Sequence, residues 1–224
     1  MEIPKLEITL LGAFSLKLGG TEIMAKEFHR SKVKTMLVYL ALEMPGSIHR
    51  ENLIDRMWED LDHEHAIDNY YTTGSLLRKA IGQKKGGPTY ILTKRDCVSL
   101  RPENVTCDVH RFYQVFHRIL REEGSIEERK LDFYLFESLY RGEIQYCPIV
   151  DPYIAGENRR LRFFYASGMQ KGYDFFKSID DKAAAAFFYY RYTEYDEGIS
   201  DLERDTLSLR TLLKDMQQPL MLSM

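Results

Sequence analysis

The sequence predicts an α+β amino-terminal half followed by an all-α carboxy-terminal half. Three observations carry that expectation. Apolar residues alternate at period two near the start, and from Ser31 the period switches to that of a helix. Beyond Pro102 lie 21 of the 27 Phe and Tyr residues, interleaved with alanines as closely packed antiparallel helices require.

The elements follow in order. "LEITLL" puts Leu6, Ile8 and Leu10 on one side of a strand, and "FSLKL" does the same with Phe14, Leu16 and Leu18. Gly12 separates these runs, and Gly19–Gly20 tolerates the tight turn before "TEIM", so a three-stranded antiparallel meander is expected. Ser31 reads as the N-cap of a first helix with Val33, Met36, Leu37 and Leu40 on one face, ended by Pro45. "HRENLIDRMW" gives a second helix with the stripe Leu53, Ile54, Met57 and Trp58. "HAIDNYYTTGSLLRKAIG", His65 to Gly82, gives a third, and "KKGGPTYILTKRDCVSLR" gives a turn and two short strands around Lys94, Arg95 and Asp96. Strands, three helices and a closing hairpin form the order of a winged helix-turn-helix, expected over residues 1–102 with the last hairpin as its wing.

From Asp108 onward the pattern is helical. "DVHRFYQVFHRILREE" aligns Phe112, Val115, Phe116, Ile119 and Leu120, and "EERKLDFYLFESLYRG" aligns Leu131, Tyr134, Leu135 and Leu139 before Gly142. Further helices are expected from Glu157 to Ser178, through "DDKAAAAFFYYRYTEY", and over "SDLERDTLSLRTLLKDM". Residues 103–224 are therefore expected to form an all-α, TPR-like domain. In "FFYYRYTEY" the aromatic rings read as helix packing, with Tyr189 or Arg191 on a face that could serve a partner protein.

Composition narrows the function classes. The 224 residues carry a net charge of −3, yet the first 102 hold 15 Lys+Arg against 13 Asp+Glu. A weakly basic first half and an acidic second half fit a nucleic-acid module joined to a protein-interaction module. Cys97, Cys107 and Cys147 are far apart, which gives neither a zinc pair nor a disulfide framework and favours a reducing compartment. The start lacks a signal-peptide pattern, and the longest apolar run, Ala183 to Tyr190, is too short for a bilayer. A cytoplasmic protein without a membrane partner is expected. There is no phosphate-binding G-x-x-x-x-G-K-[ST] loop and no G-x-S-x-G elbow, so neither an enzyme nor a cofactor is expected. "DHEH", Asp62 to His65, lacks a second ligand group at helical spacing and reads as a polar turn. His110 and His117 read as helix-surface residues.

The third helix carries the candidate site. Advancing about 100° per residue, Ala66, Tyr70, Gly74, Leu77 and Ile81 share one buried arc. Gly74 there costs roughly 1 kcal/mol relative to alanine and leaves a hole for Tyr70 or another ring to fill. The opposite arc holds Asp68, Thr72, Ser75 and Lys79, with Leu76 beside it and Arg78 on the flank. In a major groove, Thr72, Ser75 and Lys79 would approach base edges or phosphates. Lys94 and Arg95 at the wing tip would reach the minor groove or the backbone. His29, Arg30, Lys32 and Lys34 add cations at the first helix start. Asp68 has the wrong sign for DNA, so a surface that binds protein instead stays open.

Several motifs in sequence order resemble the Streptomyces antibiotic regulatory protein (SARP) family, an OmpR-type winged helix followed by a bacterial transcriptional activation domain. They are "LEITLLGAFSLKLGG", "ENLIDRMW", "LLRKAIG", Tyr90 with Leu92, "VTCDVHRF", "LYRGEI" and "ENRRLRFFYASGM". The resemblance implies a DNA-binding transcriptional regulator, an activator, that reads double-stranded operator DNA. It implies a phosphate contact for Arg78, and a helical domain that makes a homodimer or contacts RNA polymerase. The chain departs from the pattern at Gly74, where a β-branched residue is usual, and at Leu76, where arginine is frequent. It departs again beyond Asp181, where the family continues with several more helices. The alternative is a protein-interaction scaffold whose winged helix has lost DNA binding.

Overall fold

The computed structural model describes residues 3–24, 28, 30–145 and 151–196. Its elements in chain order are β1 (Leu6–Thr9), β2 (Ser15–Leu18), β3 (Thr21–Glu22), α1 (Ser31–Leu42), β4 (Ile48–His49), α2 (Arg50–Met57) and α3 (His63–Ala80). They continue with β5 (Ile91–Lys94), β6 (Cys97–Leu100), β7 (Val105–Cys107), α4 (Asp108–Arg121), α5 (Ile126–Leu139), α6 (Pro152–Ser178) and α7 (Lys182–Asp196). The expected helix over Ser200–Met216 lies outside the described residues, as do His29 and Cys147.

The amino-terminal meander forms as its alternation dictates. β1 pairs antiparallel with β2 in the register Leu6↔Leu18 and Ile8↔Leu16, and β2 pairs with β3. Leu6, Ile8 and Leu16 are buried on its inner face. The sheet has a fourth strand that the sequence pattern did not reveal. β7 lies parallel to β1, with Leu6 opposite Val105 and Ile8 opposite Cys107. Three residues are too few to display a period, and their apolar ends read as the lead-in to a helix. Burial pushes the Cys107 thiol up to about 12, so it is a packed apolar group rather than a reactive one.

α1 begins one residue earlier than a Ser31 cap would place it. Arg30 occupies the cap position with no side-chain hydrogen bond, and Ser31 is the first helical residue, its carbonyl accepting from the Thr35 hydroxyl at 3.0 Å. The helix packs against α2, α3 and β6, which buries Val33, Met36, Leu37, Val38 and Leu40. A second sheet runs in the order β4-β6-β5, and the two-residue β4 was again too short to be read. α6 starts at Pro152, earlier than Glu157, because Asp151 caps it. Its Oδ1 accepts from the Tyr153 and Ile154 amides at 3.0 and 3.3 Å, with proline at the first helical position.

The chain divides into two compact units, Met1–His117 with Ser138–Ala155, and Arg118–Glu137 with Gly156–Met224. The first holds both sheets and α1 to α3. The second has an aromatic core in which Phe133, Phe136, Phe164, Phe176 and Phe188 are buried. Phe176 and Phe188 stack with centroids 5.0 Å apart. A Cβ at Gly168 would stand 2.1 Å from the Phe136 ring, and one at Gly172 would stand 2.6 Å from Phe188. The rings of the neighbouring helices therefore lie directly on α6 backbone, and only glycine fits at either position. No helix among the described residues is long and apolar enough to cross a membrane.

Candidate nucleic-acid interface

The site is built on α3, and α3 is started by the "DHEH" segment. Asp62 Oδ1 accepts from the His65 amide at 3.1 Å, and Oδ2 lies 2.6 Å from His65 Nδ1. The His65 amide, followed by its ring, holds the Asp62 carboxyl below the usual carboxylate range. Among the described residues no group of three or more His, Cys, Asp or Glu side chains is arranged to hold a metal ion.

The two faces of α3 separate as the spacing requires. Ala66, Tyr70, Gly74 and Leu77 are buried, joined by Thr73 and Ala80 within the helix and by Ile81 just past its end. Asp68, Thr72, Ser75 and Lys79 are exposed on the opposite face, while Leu76 and Arg78 are half-buried. Thr72, Ser75 and Lys79 therefore form an outward surface at helical spacing, with Asp68 one turn before Thr72.

The space beside Gly74 is not filled by a tyrosine. The Tyr70 ring packs edge-on against Tyr71, with centroids 5.3 Å apart. The guanidinium of Arg78 folds back over the glycine instead. Its Nη1 donates to the Gly74 carbonyl at 3.1 Å and would sit 3.1 Å from a Cβ placed there. Its Nη2 donates to Thr93 Oγ1 on β5 at 2.8 Å. Arg78, expected to face a phosphate, thus spans α3 and the hairpin strand, and the missing methyl of Gly74 gives it room.

Two further ties fix the hairpin. Gln83, just past α3, accepts from the Tyr90 and Ile91 amides, both at 2.8 Å, and donates to the Ile91 carbonyl at 3.1 Å. At the other end Arg50 Nη2 pairs with Asp96 at 3.3 Å, and the Arg50 amide donates to the Asp96 carbonyl at 2.6 Å. Arg50 Nη1 also reaches the Tyr71 hydroxyl at 3.4 Å. A hydrogen bond to Glu51, ahead of the charges on Tyr71 and Asp96, raises the Arg50 pKa above its ordinary value. The hairpin is held to α3 along its strand by Arg78 and at its base by Gln83 just past α3. At its turn it is held to Arg50 at the start of α2, which in turn reaches Tyr71 of α3.

The turn is where the sequence put it. Lys94 pairs with Cys97, leaving Arg95–Asp96 as a two-residue connection with Arg95 in the left-handed region at φ 54°. Lys94 and Arg95 are both exposed. The cations near the start of α1 are placed differently. Lys32 donates to the Met57 carbonyl and lies 5.9 Å from the Trp58 ring centre, and Lys34 stands 4.9 Å over Phe14. Arg30 is exposed. Arg50, Gln83 and Thr93 were missed from the sequence, since nothing local marks them. Their roles come from partners that only the fold brings near.

Comparison with known proteins adds one finding. No known family's sequence profile matches the chain, and no curated protein matches it. Among solved structures it is similar to EmbR of Mycobacterium tuberculosis, determined in complex with a low-affinity phosphopeptide. The TM-score is 0.56 at 18% identity, over 86% of this chain and 52% of EmbR. The likeness is one of fold, and it supports a SARP-like fold. This chain spans about half of EmbR.

Proposed function

We propose that the chain is a DNA-binding transcriptional regulator of the SARP type, an activator that reads operator DNA with α3 and acts in the cytoplasm. Thr72 and Ser75 supply hydroxyls for base edges or phosphates, and Lys79 supplies charge. Lys94 and Arg95 at the hairpin tip contact the flanking backbone or minor groove. The helical part makes a homodimer or contacts RNA polymerase. No catalytic step and no cofactor belong to this reading.

The observation that carries it is the bracing of the hairpin against α2 and α3. A wing adds affinity only if its cations arrive already positioned, since ordering a loose hairpin would offset the phosphate contacts. Arg78–Thr93, Arg50–Asp96 and Gln83–Ile91 supply that bracing. Gel-shift titration with promoter fragments, for the wild type and for Lys79→Ala and Arg95→Ala, tests the assignment.

The second reading, a protein-interaction scaffold, draws on Asp68. That carboxylate is exposed on the same face as Thr72 and Ser75, and Arg78 on the flank of that face is engaged within the protein. Wild-type chain that stays folded yet ignores DNA at low salt would favour the scaffold.

A further inference from the structure

The described part of α7 leaves one apolar face uncovered. Ala183, Ala186, Phe187 and Tyr190 recur at i, i+3, i+4 and i+7, and all are exposed. Phe187 and Tyr190 show 41% and 63% of their surface, and Phe187 also meets the buried Phe188 edge-on with ring centroids 5.3 Å apart. Ala184, Ala185 and Phe188 take the inward side. Of the expected partner face, Tyr189 is 51% exposed and Arg191 is engaged within the chain. Tyr189 lies against Tyr173 with ring centroids 5.3 Å apart, and Arg191 pairs with Glu137 at 3.0 Å and with Glu194 at 2.8 Å.

Along the uncovered stripe the order is small, small, large, large. An antiparallel copy reverses that order. About a two-fold axis passing between Ala186 and Phe187, Ala186 faces Phe187 of the other copy and Ala183 faces its Tyr190. Each ring then enters a recess left by a methyl instead of meeting another ring, which is the complementarity a close helix contact needs. The reciprocity is that of an isologous interface.

Charge runs the same way. Lys182 stands exposed at the amino-terminal end of α7 and Glu194 at the carboxy-terminal end. Antiparallel docking brings Lys182 within about one turn of Glu194 of the second copy, beside the partly positive start of the helix.

We propose that this α7 stripe is a self-complementary interface on which a second copy of the chain docks with its own α7 antiparallel. The proposal rests on the homodimer named in the proposed function and gives it a surface. It stands or falls apart from DNA binding, because α7 carries none of the residues assigned to DNA. Two aromatic residues and two alanines fall short of the roughly 800 Å² per partner of a standard stable interface. The dimer therefore dissociates on dilution.

Sedimentation velocity of the full chain over a concentration series tests it. The wild type gives a reversible monomer–dimer equilibrium. Ala186→Phe sets ring against ring and Phe187→Ala empties the recess, so each raises the dissociation constant about tenfold or more. The double variant Ala186→Phe/Phe187→Ala exchanges small for large on both copies and restores the dimer. All these positions are exposed, and circular dichroism checks that each variant is folded. A wild type that is monomeric at every concentration overturns the proposal. So does a dimer indifferent to both single substitutions, or a double variant no tighter than the singles.

Discussion

Replacing Gly74 by alanine separates two effects that meet at one atom. In a helix interior the change is favourable by about 1 kcal/mol, because alanine loses less backbone freedom on folding. Against this, the new methyl would lie 3.1 Å from Arg78 Nη1, closer than ordinary contact. The end of a flexible side chain can give way, so the methyl is accommodated by moving the guanidinium. That movement lengthens or breaks the bonds to the Gly74 carbonyl and to Thr93, each worth about 0.5–1.5 kcal/mol. The net lies between no change and a loss of about 2 kcal/mol, so thermal unfolding should fall by no more than about 8 °C. DNA affinity should still fall by about three- to tenfold, the cost of re-ordering a released hairpin. Fluorescence anisotropy with labelled promoter DNA measures this beside a melt on the same sample. Thr93→Val removes the acceptor at nearly constant shape and should reproduce the affinity loss without the gain in helix propensity. Wild-type affinity in both variants would refute the bracing role of Arg78. A loss of more than about 2 kcal/mol of stability in Gly74→Ala would refute the account of how that space is filled.

Three further outcomes are expected. Lys79→Ala and Arg95→Ala should each weaken DNA binding and make the salt dependence shallower by about 0.9 in log–log slope. Gly168→Ala should destabilise by about 1–3 kcal/mol in chemical denaturation, because its methyl would overlap the Phe136 ring. His110 should make stability fall in mild acid. Burial, opposed only by a Met44 backbone contact, lowers its pKa from 6.5. The unfolded chain then binds more protons between the two values, so the contribution is intact above about pH 6.5 and is lost as pH falls below it. Melts at about pH 7.5 and about pH 5.5 should differ less for His110→Gln than for the wild type.

Much of the α3 surface was legible because helix period alone decides which residues share a face. Thr72, Ser75 and Lys79 needed only counting, and Lys94 and Arg95 needed only the alternation on either side of a turn. Gly74 illustrates the limit. Its position in the buried arc followed from spacing, but the group that fills its space is a charged side chain drawn back by a threonine on another element. Arg50 and Gln83 were invisible for the same reason. β4 and β7 are too short to carry a period, and their pairing depends on strands distant in sequence. On α7 the aromatic run announced packing, yet its outward side is set by which helix faces meet α5 and α6. The exposed side therefore holds Ala183, Ala186, Phe187 and Tyr190 beside the Tyr189 that the sequence suggested, while Arg191 is paired within the chain.

The most direct test of the central reading is a titration of wild-type chain with promoter fragments at two salt concentrations, about 50 mM and about 200 mM. Lys79, Lys94 and Arg95 together predict binding whose log–log salt slope is about −3 per monomer, steeper still if two copies bind. A folded chain that fails to bind any duplex at the lower salt, or binds with no salt dependence, would contradict the reading of α3 and its hairpin as a DNA surface.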